Sequence, residues 1–399
     1  MFGCSAATQR TGRLDSGPMS SQRARQGATL TAVFGVLLVC GAAAGAWGGT
    51  APPLPRRPLS ADAVPADPSA LSPEQAAGLV ASGTDRWAAY YSPQDYAEFA
   101  QGLDGEYLGV GLTVDRAEDG TTLVDEVLPG SPAAGAGLAA GDRLLAVDGE
   151  PADRLPVTEV VARLRGRPAP QDRAARSAAP GSTVVLAVQR PGAASHEVTL
   201  RRTVLATQDV MVDHPAPGVL RISVRAFTSG VGAEIRAALQ HPPQRGVVLD
   251  LRGNSGGLLP EAVAAASVFL DGGPVASYLS RGERRELTAT AGGDTATPLV
   301  VLVDGGTMSA AELLAGALQD RNRAVLVGAR TFGKGTVQQP SRLADGSVLE
   351  LTVGQYYTPA GRSPEGAGLQ PDVAAGDPAA AEALALRVLG GLGATPGRR

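Results

Sequence analysis

Two short apolar runs flanking a helical stretch are the strongest pattern in the chain. Leu299 to Val303 is unbroken Leu/Val and reads as a buried strand, and a Gly305-Gly306 turn follows it. Helical spacing runs from Ser309 to about Asp320, and Ala324 to Gly328 reads as a second buried strand. A tight Gly333-Lys334-Gly335 element then holds one lysine between two glycines. Upstream the same alternation predicts a strand at Gly218–Val224, a helix at Val231–Leu239, a buried strand at Gly246–Leu251 and a helix at Pro260–Leu270. Downstream, strands are expected around Ser347–Val353. The stretch 204–389 is therefore an α/β unit, and residues 390–399 read as a disordered tail.

Residues 107–203 have a different pattern, of short strands broken by turn residues. Tyr107 to Leu112 is a Gly-punctuated apolar strand and Thr122 to Val127 a second. A short helix starts at Ser131-Pro132, Arg143 to Val147 is a strand before an Asp148-Gly149 turn, and Val157 to Arg165 is a helix. Thr183–Gln189 and Glu197–Leu200 are strands. Arg167 to Pro180, rich in Arg, Ala and Pro, reads as a mobile insertion. Residues 71–106 predict two short helices, each opened by Ser-Pro, at Ser72-Pro73 and Ser92-Pro93. Residues 50–70 form a Pro/Ala-rich linker.

The N-terminus changes the picture. Residues 1–27 are polar and carry Arg10, Arg13, Arg23 and Arg25, whereas 28–49 hold no charged residue. That apolar run is long enough to span a bilayer, and arginines ahead of it place the N-terminus inside and the bulk outside. A cleaved signal peptide is the alternative, with small-residue sites at Ala42-Ala43-Ala44 and Ala44-Gly45-Ala46. The length of 399 residues suggests two to three domains, and a formal charge of −4 gives no basic footprint for nucleic acid. The two cysteines, Cys4 and Cys40, both precede residue 50, so the globular part cannot depend on disulfides.

Candidate chemistry centres on Ser309. Ser309-Ala310-Ala311-Glu312 fits a helix capping box, and it also fits a nucleophile at a strand-turn-helix junction, where backbone N–H groups favour an oxyanion. A nucleophilic serine needs a base. His196, His214 and His241 sit in no turn-rich constellation, which weakens a Ser-His-Asp reading. Lys334 is either a turn lysine or a base whose pKa falls in apolar surroundings. If a strand follows Lys334, then Lys334, Thr336 and Gln338 share one face. The Asp250-Leu251-Arg252-Gly253-Asn254-Ser255-Gly256-Gly257 turn lacks the spacing of a nucleotide-binding loop.

These motifs, in this order, resemble the carboxy-terminal processing peptidases, from about Gly78 to Val373. They are Gly306-Thr307-Met308-Ser309-Ala310-Ala311-Glu312, Ala315-Gly316-Ala317-Leu318-Gln319-Asp320, Thr331-Phe332-Gly333-Lys334-Gly335 and Gln338. A further match, Ser131-Pro132-Ala133 through Leu144 to Val147-Asp148-Gly149, resembles the family's PDZ domain. The resemblance implies a multidomain α+β protein. Its parts are a short helical region, a β-rich PDZ domain and an α/β peptidase core, and the apolar run at 28–49 adds an N-terminal membrane segment ahead of them. It implies Ser309 as nucleophile, Lys334 as general base, Gln338 as its partner, and the N–H groups of Gly256 and Ala310 as the oxyanion hole. It also implies that Gly109, Val110 and Gly111 bind a peptide carboxylate, with Leu112 beside the last side chain. For Gly109–Gly111 the plain alternative is a hairpin shaped by glycine. Two positions depart from the family pattern: Ala311 stands where a second Ser is frequent, and Ser255 where Pro is usual.

No metal or nucleotide cofactor is implied. The expected partners are polypeptides with free C-termini and the membrane; a homo-oligomer is compatible. The rival reading is a catalytically silent PDZ scaffold for exported C-termini. An anchor and a signal peptide separate by one measurement. Cells expressing the full chain are expected to retain it on membranes. A soluble product whose sequence starts near Gly45 or Trp47 would identify a signal peptide instead.

Overall fold

The computed structural model describes residues 67–167, 177–280 and 283–393. The polar segment 1–27, the apolar run 28–49 and nearly all of the linker lie outside these, as does most of the Arg167–Pro180 insertion. Among the described residues no helix is long and apolar enough to cross a membrane.

Helices α1 (Pro73–Ala81) and α2 (Pro93–Leu103) start as their Ser-Pro openings predict. The Oγ of Ser72 accepts the Gln75 N–H and that of Ser92 the Asp95 N–H, each satisfying a donor the helix cannot. The segment is more than two helices, however. Between them Ala89–Tyr91 forms a strand, β1, that joins a sheet of the C-terminal part.

The PDZ-like part contains β2 (Glu106–Gly109), β3 (Leu112–Arg116), β4 (Thr122–Val127), α3 (Pro132–Gly135), β5 (Arg143–Val147), β6 (Glu150–Pro151), α4 (Val157–Leu164), β7 (Thr183–Gln189) and β8 (His196–Arg201). Its sheet runs β3-β4-β5-β7-β8 over a core that includes Val110, Leu144, Val160 and Leu186. The single strand expected from Tyr107 to Leu112 is broken in two. Gly111 takes φ 79°, and a Cβ there would lie 2.1 Å from the Ser131 Cβ, so only glycine fits this bend. Ahead of the bend, β2 leaves the PDZ sheet and pairs antiparallel with β9 (Thr203–Ala206). A two-stranded ribbon thus carries the chain into and out of the domain.

The remainder contains β10 (Val210–Ala216), β11 (Val219–Val224), α5 (Val231–Ala238), β12 (Gly246–Asp250), α6 (Leu259–Phe269), β13 (Pro274–Ser280), β14 (Glu283–Thr288), β15 (Leu299–Val303), α7 (Ala310–Asp320), β16 (Val325–Gly328), β17 (Thr336–Arg342), β18 (Val348–Tyr357), β19 (Val373–Ala374) and α8 (Pro378–Gly393). One sheet has the order β10-β11-β12-β15-β16-β19, parallel except for the β10 edge. Every residue of β12 and β15 is buried, which is why both read as unbroken apolar runs. Ile235, Phe269 and Leu313 of α5, α6 and α7 cover one face. Ala385 and Leu389 of α8 cover the other, so the helix continues to Gly393, beyond the expected start of a frayed tail. The second sheet is antiparallel, β1-β18-β13-β14 with β17 also on β18. Its β14 is mostly exposed and polar, Glu-Arg-Arg-Glu-Leu-Thr, and carries no apolar alternation that would announce it.

Candidate active site

Ser309 stands where β15 gives way to α7, at the carboxyl end of the parallel sheet. That is where open α/β sheets form their clefts. The approach is held by polar stitching between two strand ends. Asp304 Oδ1 accepts the N–H groups of Gly253, Gly306 and Thr307 at 2.9, 2.9 and 3.1 Å. Thr307 Oγ1 donates to the Leu251 carbonyl at 2.9 Å, and the Met308 N–H donates to the Asn254 carbonyl at 2.8 Å. These bonds lock the Arg252–Gly257 turn against the turn before the helix. Ser309 itself adopts φ 56° and ψ −117°. A non-glycine residue there stores roughly 1–3 kcal/mol of strain, of the kind that aims a nucleophile from a sharp strand-to-helix turn.

Glu312 keeps that turn in place. Its side chain is fully buried, and its carboxylate accepts four donors. They are the Ser309 N–H at 3.0 Å, the Lys334 N–H at 2.9 Å, the Gly333 N–H at 2.8 Å and the Thr331 hydroxyl at 2.5 Å. Burial pushes the Glu312 carboxyl above the usual carboxylate range, and these donors pull it back toward ionisation. From the opposite side the buried Tyr356 hydroxyl reaches the carbonyls of Ser309 (2.8 Å) and Lys334 (3.0 Å). Two side chains therefore span the same pair of residues, one through their N–H groups and one through their carbonyls.

The glycines around Lys334 answer to close backbone packing. A Cβ on Gly335 would lie 2.5 Å from the Glu365 N, and one on Gly333 3.0 Å from the Gly368 N. Glu365 accepts the Gly335 N–H at 2.8 Å and pairs with Arg86 at 3.0 Å. The Lys334 ammonium lies 4.9 Å from the centroid of the Trp87 ring. Burial pushes the Lys334 amine below the usual lysine range. Glu350, Glu365 and Asp85 oppose that shift and Arg86 adds to it.

The carbonyls of Ser309 and Lys334 meet at the Tyr356 hydroxyl, where the two sheets join, and Gln338 lies on β17 beside Thr352 of β18. Thr336 and Gln338 share a face, with Gln338 Nε2 donating to Thr336 Oγ1 at 2.8 Å and to Thr352 Oγ1 at 3.2 Å. Among the described residues, Lys334 Nζ makes no hydrogen bond to Ser309 Oγ or to Gln338. Resting active sites are frequently loose in this way. Ala310, at the first turn of α7, has an N–H with no protein acceptor among the described residues. Gly256 packs on Ser309, since a Cβ there would sit 2.9 Å from the Ser309 Cβ. Its N–H, however, donates to Asn254 Oδ1 at 2.8 Å and so is engaged in this arrangement. His196, His214 and His241 are all exposed. Asp85, Trp87, Glu350 and Thr352 reach the site through contacts distant in sequence that leave no local signal; Tyr356 opens a Tyr356–Arg362 stretch that resembles a family motif, without a sign of its bonds to Ser309 and Lys334.

In the PDZ-like part, Gly109, Val110, Gly111 and Leu112 line a groove with Val161 and Leu164 of α4. Among the described residues the N–H groups of Val110 and Gly111 have no protein acceptor.

Comparison with known proteins agrees with this layout. Residues 218–375 match peptidase family S41, and residues 101–169 match the PDZ domain. The carboxy-terminal processing protease CtpA of Bacillus subtilis is 30% identical over 303 residues, covering 75% of this chain and 62% of the relative. The carboxyl-terminal-processing protease of Picosynechococcus is 35% identical over 302 residues, covering 72% of this chain and 69% of the relative. The solved structure of a putative S41 protease from Bacteroides fragilis shares the fold, with TM-score 0.53 at 18% identity, covering 87% of this chain and 99% of that one. The chain thus belongs to the carboxy-terminal processing proteases of peptidase family S41, with a PDZ domain ahead of its peptidase domain.

Proposed function

We propose that the chain is a serine endopeptidase that uses a Ser309/Lys334 pair, independent of ATP, to cut polypeptides outside the cytoplasm near their C-termini. The observation that carries this reading is the strained Ser309 at a helix start, tied by Glu312 and Tyr356 to a desolvated lysine. Ser309 Oγ attacks the scissile carbonyl as Lys334 Nζ takes its proton. The lysine then gives a proton to the leaving amine, and water, deprotonated by the same lysine, hydrolyses the acyl-enzyme. The Ala310 N–H receives the oxyanion. Gly256 joins it once its N–H leaves Asn254. Gln338 Oε1 holds the amine. Before reaction Lys334 gives up its proton to solvent, leaves the Trp87 face and approaches Ser309 as the neutral amine. The groove beside Gly109–Gly111 takes the substrate's C-terminal carboxylate on free N–H groups, with Leu112, Val161 and Leu164 beside an apolar last side chain.

That the lysine rests against Trp87 rather than Ser309 also suits the silent scaffold. Ser309→Ala and Lys334→Ala are each expected to lower cleavage of a disordered protein such as casein by on the order of 10³-fold or more, with the double variant hardly worse than either. The wild-type chain failing to cut casein or any peptide would favour the scaffold.

The pH dependence follows from the base. Lys334 accepts a proton only when neutral, so kcat/KM is expected to rise with pH through a midpoint below the usual lysine range and then level off. Glu350 carries a charge that holds the lysine protonated, so Glu350→Gln should move the rise to lower pH. A profile that does not respond to Glu350→Gln would take Lys334 out of the role of base.

The PDZ groove should make cleavage sensitive to the substrate terminus. Amidating the C-terminus of a model peptide, or making its last residue charged, is expected to slow cleavage several-fold. Equal rates for free and amidated peptides would show that the groove does not read C-termini.

A further inference from the structure

We propose that Asp85, in the segment ahead of the PDZ domain, is a positioning residue for Lys334: acting through Thr352, it fixes which end of the Gln338 amide faces the lysine. The inference rests on the Ser309/Lys334/Gln338 reading above.

Asp85 is buried between α1 and β1, far in sequence from both the nucleophile and the base. Its carboxylate accepts three donors. Oδ2 takes the Thr352 N–H at 2.7 Å; Oδ1 takes the Thr352 hydroxyl at 2.9 Å and the Trp87 N–H at 3.0 Å. An ionised carboxylate has only lone pairs to offer, so the hydroxyl hydrogen of Thr352 must point at Asp85. A hydroxyl has one hydrogen. Thr352 Oγ1 therefore presents lone pairs to its other neighbour, Gln338, and that neighbour must be a donor. Gln338 accordingly turns its Nε2 toward the threonines, giving one hydrogen to Thr352 Oγ1 at 3.2 Å and one to Thr336 Oγ1 at 2.8 Å. Both amide hydrogens are used, and Oε1 is left as the acceptor. A lysine ammonium is a donor only. The orientation set by Asp85 is the one that can hold the amine; the flipped amide would set its oxygen against Thr352 lone pairs and its NH2 against the ammonium.

The same short segment reaches Lys334 a second way, since Trp87 offers its ring face to the ammonium at 4.9 Å. The charged groups around Lys334 are Glu350 on β18, Glu365 in the loop that packs on Gly335, and Asp85 and Arg86 of this segment. Asp85 therefore acts on the lysine by charge and by hydrogen-bond polarity. Only the second effect passes through Gln338, and that separates them.

Asp85→Asn is isosteric but reverses the polarity. An Asn amide cannot serve all three donors: with its NH2 toward the Thr352 hydroxyl, that hydroxyl donates to Gln338 and turns the amide over, and the Trp87 N–H bond is lost. The experiment is a double-mutant cycle on the full chain, reading kcat and KM on casein and on a peptide across pH. Asp85→Asn is expected to lower kcat about tenfold or more with KM within twofold, and to move the alkaline rise to lower pH. In a Gln338→Ala background the same change should cost less than twofold in kcat. Thr352→Val keeps the Thr352 N–H bond to Asp85 but removes the relay; it should lower kcat by a similar factor, without adding to Asp85→Asn. If Asp85→Asn does not fold, Thr352→Val with and without Gln338→Ala carries the test. Equal loss from Asp85→Asn in both backgrounds, or wild-type kcat in Thr352→Val, overturns the proposal. A Ser309→Ala control that still cleaves would instead remove the Ser/Lys reading, and the Asp85 role with it.

Discussion

A single buried carboxylate holds the catalytic region together. Glu312 has no access to water, so each of its lone pairs must find a donor inside the protein, and it finds four. Three are backbone N–H groups that have no regular-structure partner: one at the start of α7 and two in the glycine-flanked turn before β17. Leaving any one of them buried and unpaired would cost roughly 1–3 kcal/mol. The carboxylate and the two chain segments are thus mutually dependent, and the strained turn at Ser309 persists because both its N–H and its carbonyl are held. Tyr356 supplies the second hold, from β18 of the other sheet.

The site therefore belongs to neither sheet alone. The parallel sheet delivers Ser309 on a helix start, and the antiparallel sheet supplies Tyr356 beside Lys334 and the Gln338–Thr352 pair. The N-terminal segment closes the arrangement. β1 pairs with β18, and that pairing sets Asp85 and Trp87 beside Thr352 and Lys334. The Lys334 ammonium is met by the Trp87 face and by the charges of Glu350, Glu365 and Asp85 rather than by Ser309.

How much of this could be read from sequence depends on whether the cause was local. Buried parallel strands such as Leu299–Val303 and Gly246–Asp250 announce themselves, because two covered faces demand unbroken apolar runs. The stretches around Ser309 and Lys334 stand out because each motif is continuous in the chain, whereas the glycines beside Lys334 have their reason in the distant backbone of 364–368. The two-part nature of Tyr107–Leu112 was hidden, since the bend at Gly111 follows from contact with Ser131, twenty residues later. Glu312 was legible only as a capping residue; its bonds to Gly333 and Lys334 come from a turn on another strand. Asp85 gave no signal, because its partner Thr352 is separated from it by the whole PDZ domain and most of the core. Gly256 shows the reverse limit: the motif places it correctly against Ser309, but not the use of its N–H by Asn254.

The β2–β9 ribbon has a consequence for how this architecture can vary. Gly109 and Thr203 face each other across one antiparallel pairing, so the chain enters and leaves the PDZ part at neighbouring points about 5 Å apart. An insertion with adjacent ends asks little of its host: a short turn could close the gap, and another module with adjacent termini could occupy it. The ribbon is in effect a socket, and whatever the PDZ domain contributes is a plug-in trait that can be lost, exchanged or retuned without rebuilding the peptidase that hosts it.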